Sequence, residues 1–310
     1  MSVIRNVAIA GASGDLGKVI LRALTESNLF EITVLTRHES SAQFAASVRV
    51  IRVDFTSVTD LTAALANQDA VVSVLNSDAL DTQLPLIDAS LAAGVKRFIP
   101  SEFSANNGNP KTATLPAYKV KIAVHEIIQR HARENPQFTY TVIRNGPFLD
   151  WSLALGFFLT LKPAPGGSGA ITTPFYDGGD RPFSTSTLAT VGKAVVGVLH
   201  RLEKTTNRVV FVHDLVTTQR KMLAIARKIA PEREWNTVHV STADMEARAR
   251  ENYAQGKVDI PALMGCFCRS VFAEGYGGEF EEVDNQLLGI PGKNDEDLEG
   301  LIRDALEKSA

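Results

Sequence analysis

The chain has 310 residues, 45% hydrophobic and 22% charged, with 32 basic against 35 acidic side chains and a formal net charge of −3. Those values suit one large α/β domain, or a nucleotide-binding domain with a smaller lobe, and they allow a sizeable core. No basic block is present, so a nucleic-acid partner is not expected, and the longest apolar stretch, Leu153 to Leu161, is far short of a bilayer span.

Cys266 and Cys268 stand one residue apart, too close for an ordinary bridge or a zinc knuckle. They read as small buried hydrophobes in a reducing compartment. The histidines (His38, His125, His131, His200, His213, His239) show no metal-ligand spacing, and no metal is expected. One Arg followed by a strand-length apolar run is not a signal peptide. A soluble, cytoplasmic protein without a membrane partner is expected, as a monomer or homodimer.

The run Val3 to Ala10 predicts a strand buried on both faces, of the kind found in parallel sheets. It breaks at Gly11-Ala12-Ser13-Gly14-Asp15-Leu16-Gly17, and a helical pattern follows with Leu16, Val19, Ile20, Ala23 and Leu24. The spacing relates this turn to the dinucleotide fingerprint. Gly11 is suited to the tight turn, Gly14 to close approach of a pyrophosphate, and Gly17 to helix–strand packing. The N–H groups and positive dipole end of that helix face the phosphates.

A second strand, Glu31 to Thr36, ends at Arg37. An NAD-preferring protein usually has an acidic residue there to bind the ribose. A basic one suits the 2′-phosphate of NADP, although a solvated Arg at a strand end is the plainer alternative. His38, Ser40 and Ser41 offer further donors. Strands over Val48 to Val53 and Ala70 to Leu75 follow, with a helix over Thr59 to Ala66 between them. Asp54 and Phe55 are placed to border the adenine, unless Asp54 is only a helix cap. Asn76 should face the cofactor from the carboxyl end of its strand. A helix over Leu80 to Ala93 closes at Gly94.

Val95 to Phe103 reads as a strand running into a polar loop that holds Ser101 and Phe103, with turn-rich sequence through Asn106-Asn107-Gly108-Asn109-Pro110. A long helix is predicted over Leu115 to Arg133, carrying Tyr118, Lys119, Lys121 and His125. A strand from Phe138 to Arg144 ends in Asn145-Gly146-Pro147-Phe148. This alternation is the Rossmann-type doubly wound pattern. Residues 1–150 are thus assigned to a nucleotide domain, with 186–213 returning to it, and 151–310 to a mainly helical lobe in which Thr172 to Phe183 is irregular.

The glycine run, Val95-Lys96-Arg97-Phe98-Ile99-Pro100-Ser101-Glu102-Phe103 and the helix Lys121-Ile122-Ala123-Val124-His125-Glu126-Ile127-Ile128 together resemble the isoflavone reductase-like, NmrA-like group of atypical short-chain dehydrogenases. The resemblance implies an NADP(H)-dependent reductase of a small aromatic or polycyclic secondary metabolite. It implies that Gly11, Ser13, Gly14, Leu16, Gly17 and Arg37 hold the nucleotide; Asp15, Asn76, Ser101, Phe103, Lys121, Asn145, Pro147 and Phe148 complete the expected cofactor site. The family's helix lysine matches Lys121, with Lys119 the alternative. A lysine partly desolvated near the nicotinamide ribose can act as general acid or anchor the ribose. Tyr118, on one helix face with Lys121 at i, i+3, is either a second catalytic group or packing. Phe103, Phe148, Trp151 and Tyr176 are candidates for an aromatic substrate pocket. The competing functions are an NADP-sensing regulator without chemistry, and a reductase whose product rearranges or cyclises in the pocket.

Overall fold

The computed structural model describes residues 3–76, 82–164, 166 and 169–309. The expected helix start at Leu80 and part of the turn between Pro163 and Gly169 lie outside them. The first half of the chain alternates β1 (Asn6–Ala10), α1 (Asp15–Glu26), β2 (Glu31–Arg37), β3 (Arg49–Val53), α2 (Val58–Ala64), β4 (Ala70–Ser73), α3 (Gln83–Ala92) and β5 (Arg97–Ile99). It continues with α4 (Pro110–Ala113), α5 (Lys119–Glu134), β6 (Thr139–Arg144) and α6 (Leu149–Leu155). The second half adds β7 (Ile171–Tyr176), β8 (Phe183–Thr185), α7 (Leu188–His200), β9 (Arg208–Phe211), β10 (Leu215–Thr217), α8 (Gln219–Ile229) and β11 (Trp235–Val240). Four helices complete it: α9 (Thr242–Ala254), α10 (Ile260–Phe272), α11 (Asn285–Leu288) and α12 (Asp295–Lys308).

A seven-stranded sheet in the order β3-β2-β1-β4-β5-β6-β9, parallel throughout, is the frame. Successive side chains of a strand point to opposite faces, and β1 shows why both faces must be apolar. Val7 and Ile9 pack with Ile20 and Leu24 of α1 and with Val191 and Val195 of α7. Ala8 and Ala10 pack with Leu61, Leu86, Val124 and Ile128 on the other side. The continuous hydrophobic run is therefore a strand sandwiched between helical layers. The strand order reverses between β1 and β4, which opens a crevice at their carboxyl ends.

The sheet is finished by residues far along the chain. β9 pairs with β6, and α7 lies against α1, with the Gly192 Cα facing Ala23. Arg97, fully buried in β5, fastens this junction. It donates to the hydroxyls of Thr139, Thr141, Thr205 and Thr206 and to the Leu202 carbonyl at 2.7–2.9 Å, all neutral oxygens. Burial lowers its pKa to about 10.

A second apolar cluster joins α6, α8, α10 and α12 to two small sheets, β7 with β11 and β8 with β10. Residues 172–183, expected to be irregular, therefore hold β7 and begin β8. Pro174 and the nearby glycines hide the pattern, and the pairing strand lies some sixty residues later. No helix among the described residues is long and apolar enough to cross a membrane.

The helix expected from Leu115 also differs. Leu115 has extended backbone (φ −73°, ψ 130°), Pro116 to Tyr118 form one tight 3-10 turn, and the α-helix begins at Lys119. A residue before proline is pushed out of the helical region by the pyrrolidine ring. Tyr118 consequently precedes the helix that carries Lys121.

Candidate dinucleotide site and the lysine cluster

At the strand reversal lies a cavity of about 400 Å³ lined by Gly11, Ser13, Gly14, Arg37, Phe55 and Asn76, among others. The three glycines do different work. Gly11 has φ +87°, and a Cβ there would sit 2.2 Å from the Val74 carbonyl oxygen, so only glycine fits. A Cβ at Gly17 would lie 2.1 Å from the Gly11 oxygen, which lets α1 seat directly on the turn. At Gly14 a Cβ would meet nothing nearer than 3.7 Å, so the protein's own packing does not demand glycine there. Gly14 is the N-cap of α1, and no side chain caps that end. Its first-turn N–H groups are a ready anion site.

Arg37 is exposed at the end of β2 and forms no ion pair among the described residues. The loop after it is held by Arg52, whose Nη1 donates to the carbonyls of Arg37, His38 and Ser40 at 3.3, 2.9 and 2.9 Å. Ser40 and Phe44 line the cavity with Arg37. Arg52 and Phe44 have no motif in the sequence and emerge only from the fold. Phe55 lines the cavity as expected. The Asp54 carboxylate is engaged by the Thr56 N–H and hydroxyl, and Ser57 rather than Asp54 caps α2.

Several expected cofactor residues also make contacts within the frame. The Ser101 hydroxyl donates to the Leu75 carbonyl at 2.7 Å, tying β5 to the end of β4. Asn145 is fully buried with its Nδ2 on the Gly146 carbonyl, and the Pro147 carbonyl accepts from the Thr185 hydroxyl. Leu16 packs against the core, and Asp15 accepts a hydrogen bond from the Trp151 indole Nε1 at 3.0 Å.

The four aromatics expected at a substrate pocket differ in their surroundings. Phe103 is in the first core cluster, and Tyr176 stacks on Phe272 with ring centroids 5.0 Å apart in the second. Phe103 lies in the loop beyond β5 and Tyr176 ends β7, and both are buried by neighbouring layers. Phe148, half-buried, packs on the first cluster at the start of α6. Trp151 alone of the four is well exposed, and it packs on Phe157 beside the glycine turn.

Lys121 lies beyond the end of β5. Its Nζ donates to the backbone carbonyl of Glu102 at 2.8 Å. Burial lowers the lysine pKa, and the nearby Glu102 carboxylate opposes that shift. Glu102 is itself buried. Its Oε2 accepts from Asn107 Nδ2 at 2.7 Å, its Oε1 has no partner, and burial raises its pKa against the pull of Lys121, Asn107 and Arg144. Lys119 is exposed on the same helix. Tyr118 is committed to a contact on the other side. Its hydroxyl meets Ser270 Oγ of α10 at 2.8 Å within a cluster of Leu115, Ala262 and Cys266, and burial drives its pKa further up.

A parallel sheet reversing at β1 and β4, with a glycine turn and an uncapped helix at the reversal, defines a Rossmann-type α/β protein. The chain belongs to the NmrA-like family, whose model matches residues 5–247. Among its relatives, oxidoreductase aprR of Aspergillus flavus is 34% identical over 96% of this chain and 98% of its own length. Oxidoreductase poxI of Penicillium oxalicum is 32% identical over 91% and 88%. The fold is shared with AtPrR2 with NADP+ and (+)pinoresinol (TM-score 0.76, 20% identical, covering 98% of this chain and 99% of that one). It is shared too with the leucoanthocyanidin reductase–NADPH complex of Vitis vinifera (TM-score 0.73, 18% identical, covering 97% and 99%).

Proposed function

We propose that the chain is an NADPH-dependent reductase of a small apolar aromatic or polycyclic secondary metabolite, acting on a C=C, C=N or C=O bond. The observation that carries this reading is spatial. The glycine turn and Arg37 line one cavity, while Lys121 stands at the same carboxyl edge of the sheet, beyond β5. Relatives matched over nearly their whole length carry the name oxidoreductase, and solved structures of this fold hold NADP+ or NADPH.

The residues fit such a cofactor. The open cradle at Gly14 and the uncapped N–H groups of α1 suit a pyrophosphate. Arg37 suits a 2′-phosphate, since a guanidinium binds phosphate oxygens in pairs. Phe55 and Phe44 offer apolar walls to the adenine. The cofactor supplies a hydride. Lys121 supplies the proton to the oxyanion or carbanion that hydride addition leaves: one of its N–H bonds is held by Glu102, which aims the ammonium and leaves two donors. Partial burial eases the loss of that proton.

Calorimetric titration with NADPH and NADH, followed by turnover of a panel of aromatic enones, imines and quinones, tests the reading. We expect NADPH to bind more tightly and Lys121→Ala to lose turnover while keeping NADPH affinity. Binding of both oxidation states with no hydride transfer to any acceptor, and a protein partner recovered by pull-down, would replace the enzyme with a nucleotide sensor.

A further inference from the structure

We propose that Glu102 is the positioning residue of Lys121, its backbone carbonyl aiming the amine and its enclosed carboxylate providing the counter-charge that keeps a proton there. The inference rests on the role given to Lys121 above. Both halves of one residue act on the same side chain. The carbonyl holds Nζ at 2.8 Å. The carboxylate is 1% exposed, with one hydrogen bond, from Asn107, and a second oxygen without a partner. A carboxylate so enclosed is costly unless cations stand nearby.

Two cations do. Lys121 faces Glu102 from α5, and Arg144 faces it from the end of β6. Arg144 is itself buried. Its Nη1 is held by Asn106 Oδ1 at 2.9 Å, its guanidinium lies 5.6 Å from the Phe211 ring centroid, and its Nε has no partner. The other titratable groups around are neutral: Tyr118, whose hydroxyl is on Ser270, and His125, a turn beyond Lys121 and beside Arg144. Lys121 and Arg144 therefore share one enclosed carboxylate, which favours the ammonium form of Lys121 without neutralising it in a contact ion pair. An amine in an apolar site with no such carboxylate would release its proton too early to be an acid at neutral pH.

The test is Glu102→Gln, which keeps the carbonyl and the shape but removes the charge. The first readout is the pH dependence of acetic anhydride labelling at Lys121, followed by peptide mass spectrometry, which needs no substrate. The second is the pH profile of kcat. With the ammonium as the active form, turnover falls as pH rises through the lysine pKa. Removing the negative charge should move both the labelling midpoint and that falling limb to lower pH by about one unit. NADPH affinity should be unchanged. Should Glu102→Gln fail to fold, Asn107→Ala removes the one donor to the carboxylate, makes it easier to protonate, and should give a smaller shift in the same direction. An unmoved labelling midpoint overturns the role of Glu102, whatever happens to activity. A shifted midpoint with full turnover in Lys121→Ala upholds the electrostatic link and overturns the lysine as acid.

Discussion

The Trp151 indole Nε1 donates to the Asp15 carboxylate at 3.0 Å, so a side chain of α6 holds the first residue of α1 beside the glycine turn. A carboxylate at that place favours the helix dipole but repels a phosphate, and the indole draws it aside. Trp151→Phe should weaken NADPH binding about threefold to tenfold, as loss of about 1 kcal/mol implies. The chain has two tryptophans, and Trp235 is buried among β11 and α8. Emission changes on adding NADPH should therefore vanish in the variant; a persisting change would place the reporter elsewhere.

The glycines separate folding from binding. Gly17→Ala forces a Cβ to within 2.1 Å of the Gly11 oxygen and should cost about 3 kcal/mol of stability. Gly14→Ala meets only ordinary contacts and should cost about 1 kcal/mol or less, the difference between glycine and alanine at an N-cap. It should nevertheless lose most NADPH affinity. Thermal melts with and without NADPH check both; equal melting losses in the two variants would contradict the division of labour.

Arg37→Ala should raise the Kd for NADPH about tenfold or more and leave that for NADH within about twofold, because the charge-assisted pair serves only the 2′-phosphate. Parallel titrations measure the ratio. An equal loss for both dinucleotides would mean that Arg37 supports the loop rather than the phosphate.

Burial and the Arg144 charge depress the His125 pKa from 6.5 to about 4. Between those values the unfolded chain binds a proton that the folded one refuses. His125 thus favours the fold above pH 6.5, and that contribution is lost as pH falls toward 4. His125→Gln should flatten the fall in Tm across this window. A slope as steep as in the parent chain would show that other groups carry it.

Tyr118→Phe should lower stability by about 1 kcal/mol, through loss of the Ser270 contact, with kcat within about twofold. A kcat loss of a hundredfold would restore Tyr118 to the chemistry.

What could be read in advance was local. The glycine turn, the uncapped helix and Arg37 depend on a few consecutive residues, and β1 announced its two buried faces by an unbroken apolar run. What could not be read was which polar groups the fold would use for itself. The Ser101 hydroxyl reaches the Leu75 carbonyl across two strands, a pairing without a local signature. Pro116 shifts the helix start, and Ser270, 152 residues away, meets the Tyr118 phenol. Phe103 and Tyr176 belong to a pool of aromatics in which core and cleft have the same composition. Trp151 reaching Asp15 spans 136 residues and leaves no periodic trace.

The guanidinium of Arg97 has a consequence for synthesis. Three of its five oxygens come from Leu202, Thr205 and Thr206, and the strand they introduce closes the sheet. A nascent chain that has left the ribosome only as far as residue 150 carries an arginine with just Thr139 and Thr141 of its five oxygens and an α1 face still wet. The amino-terminal half must wait, unfinished, until more than fifty further residues have emerged.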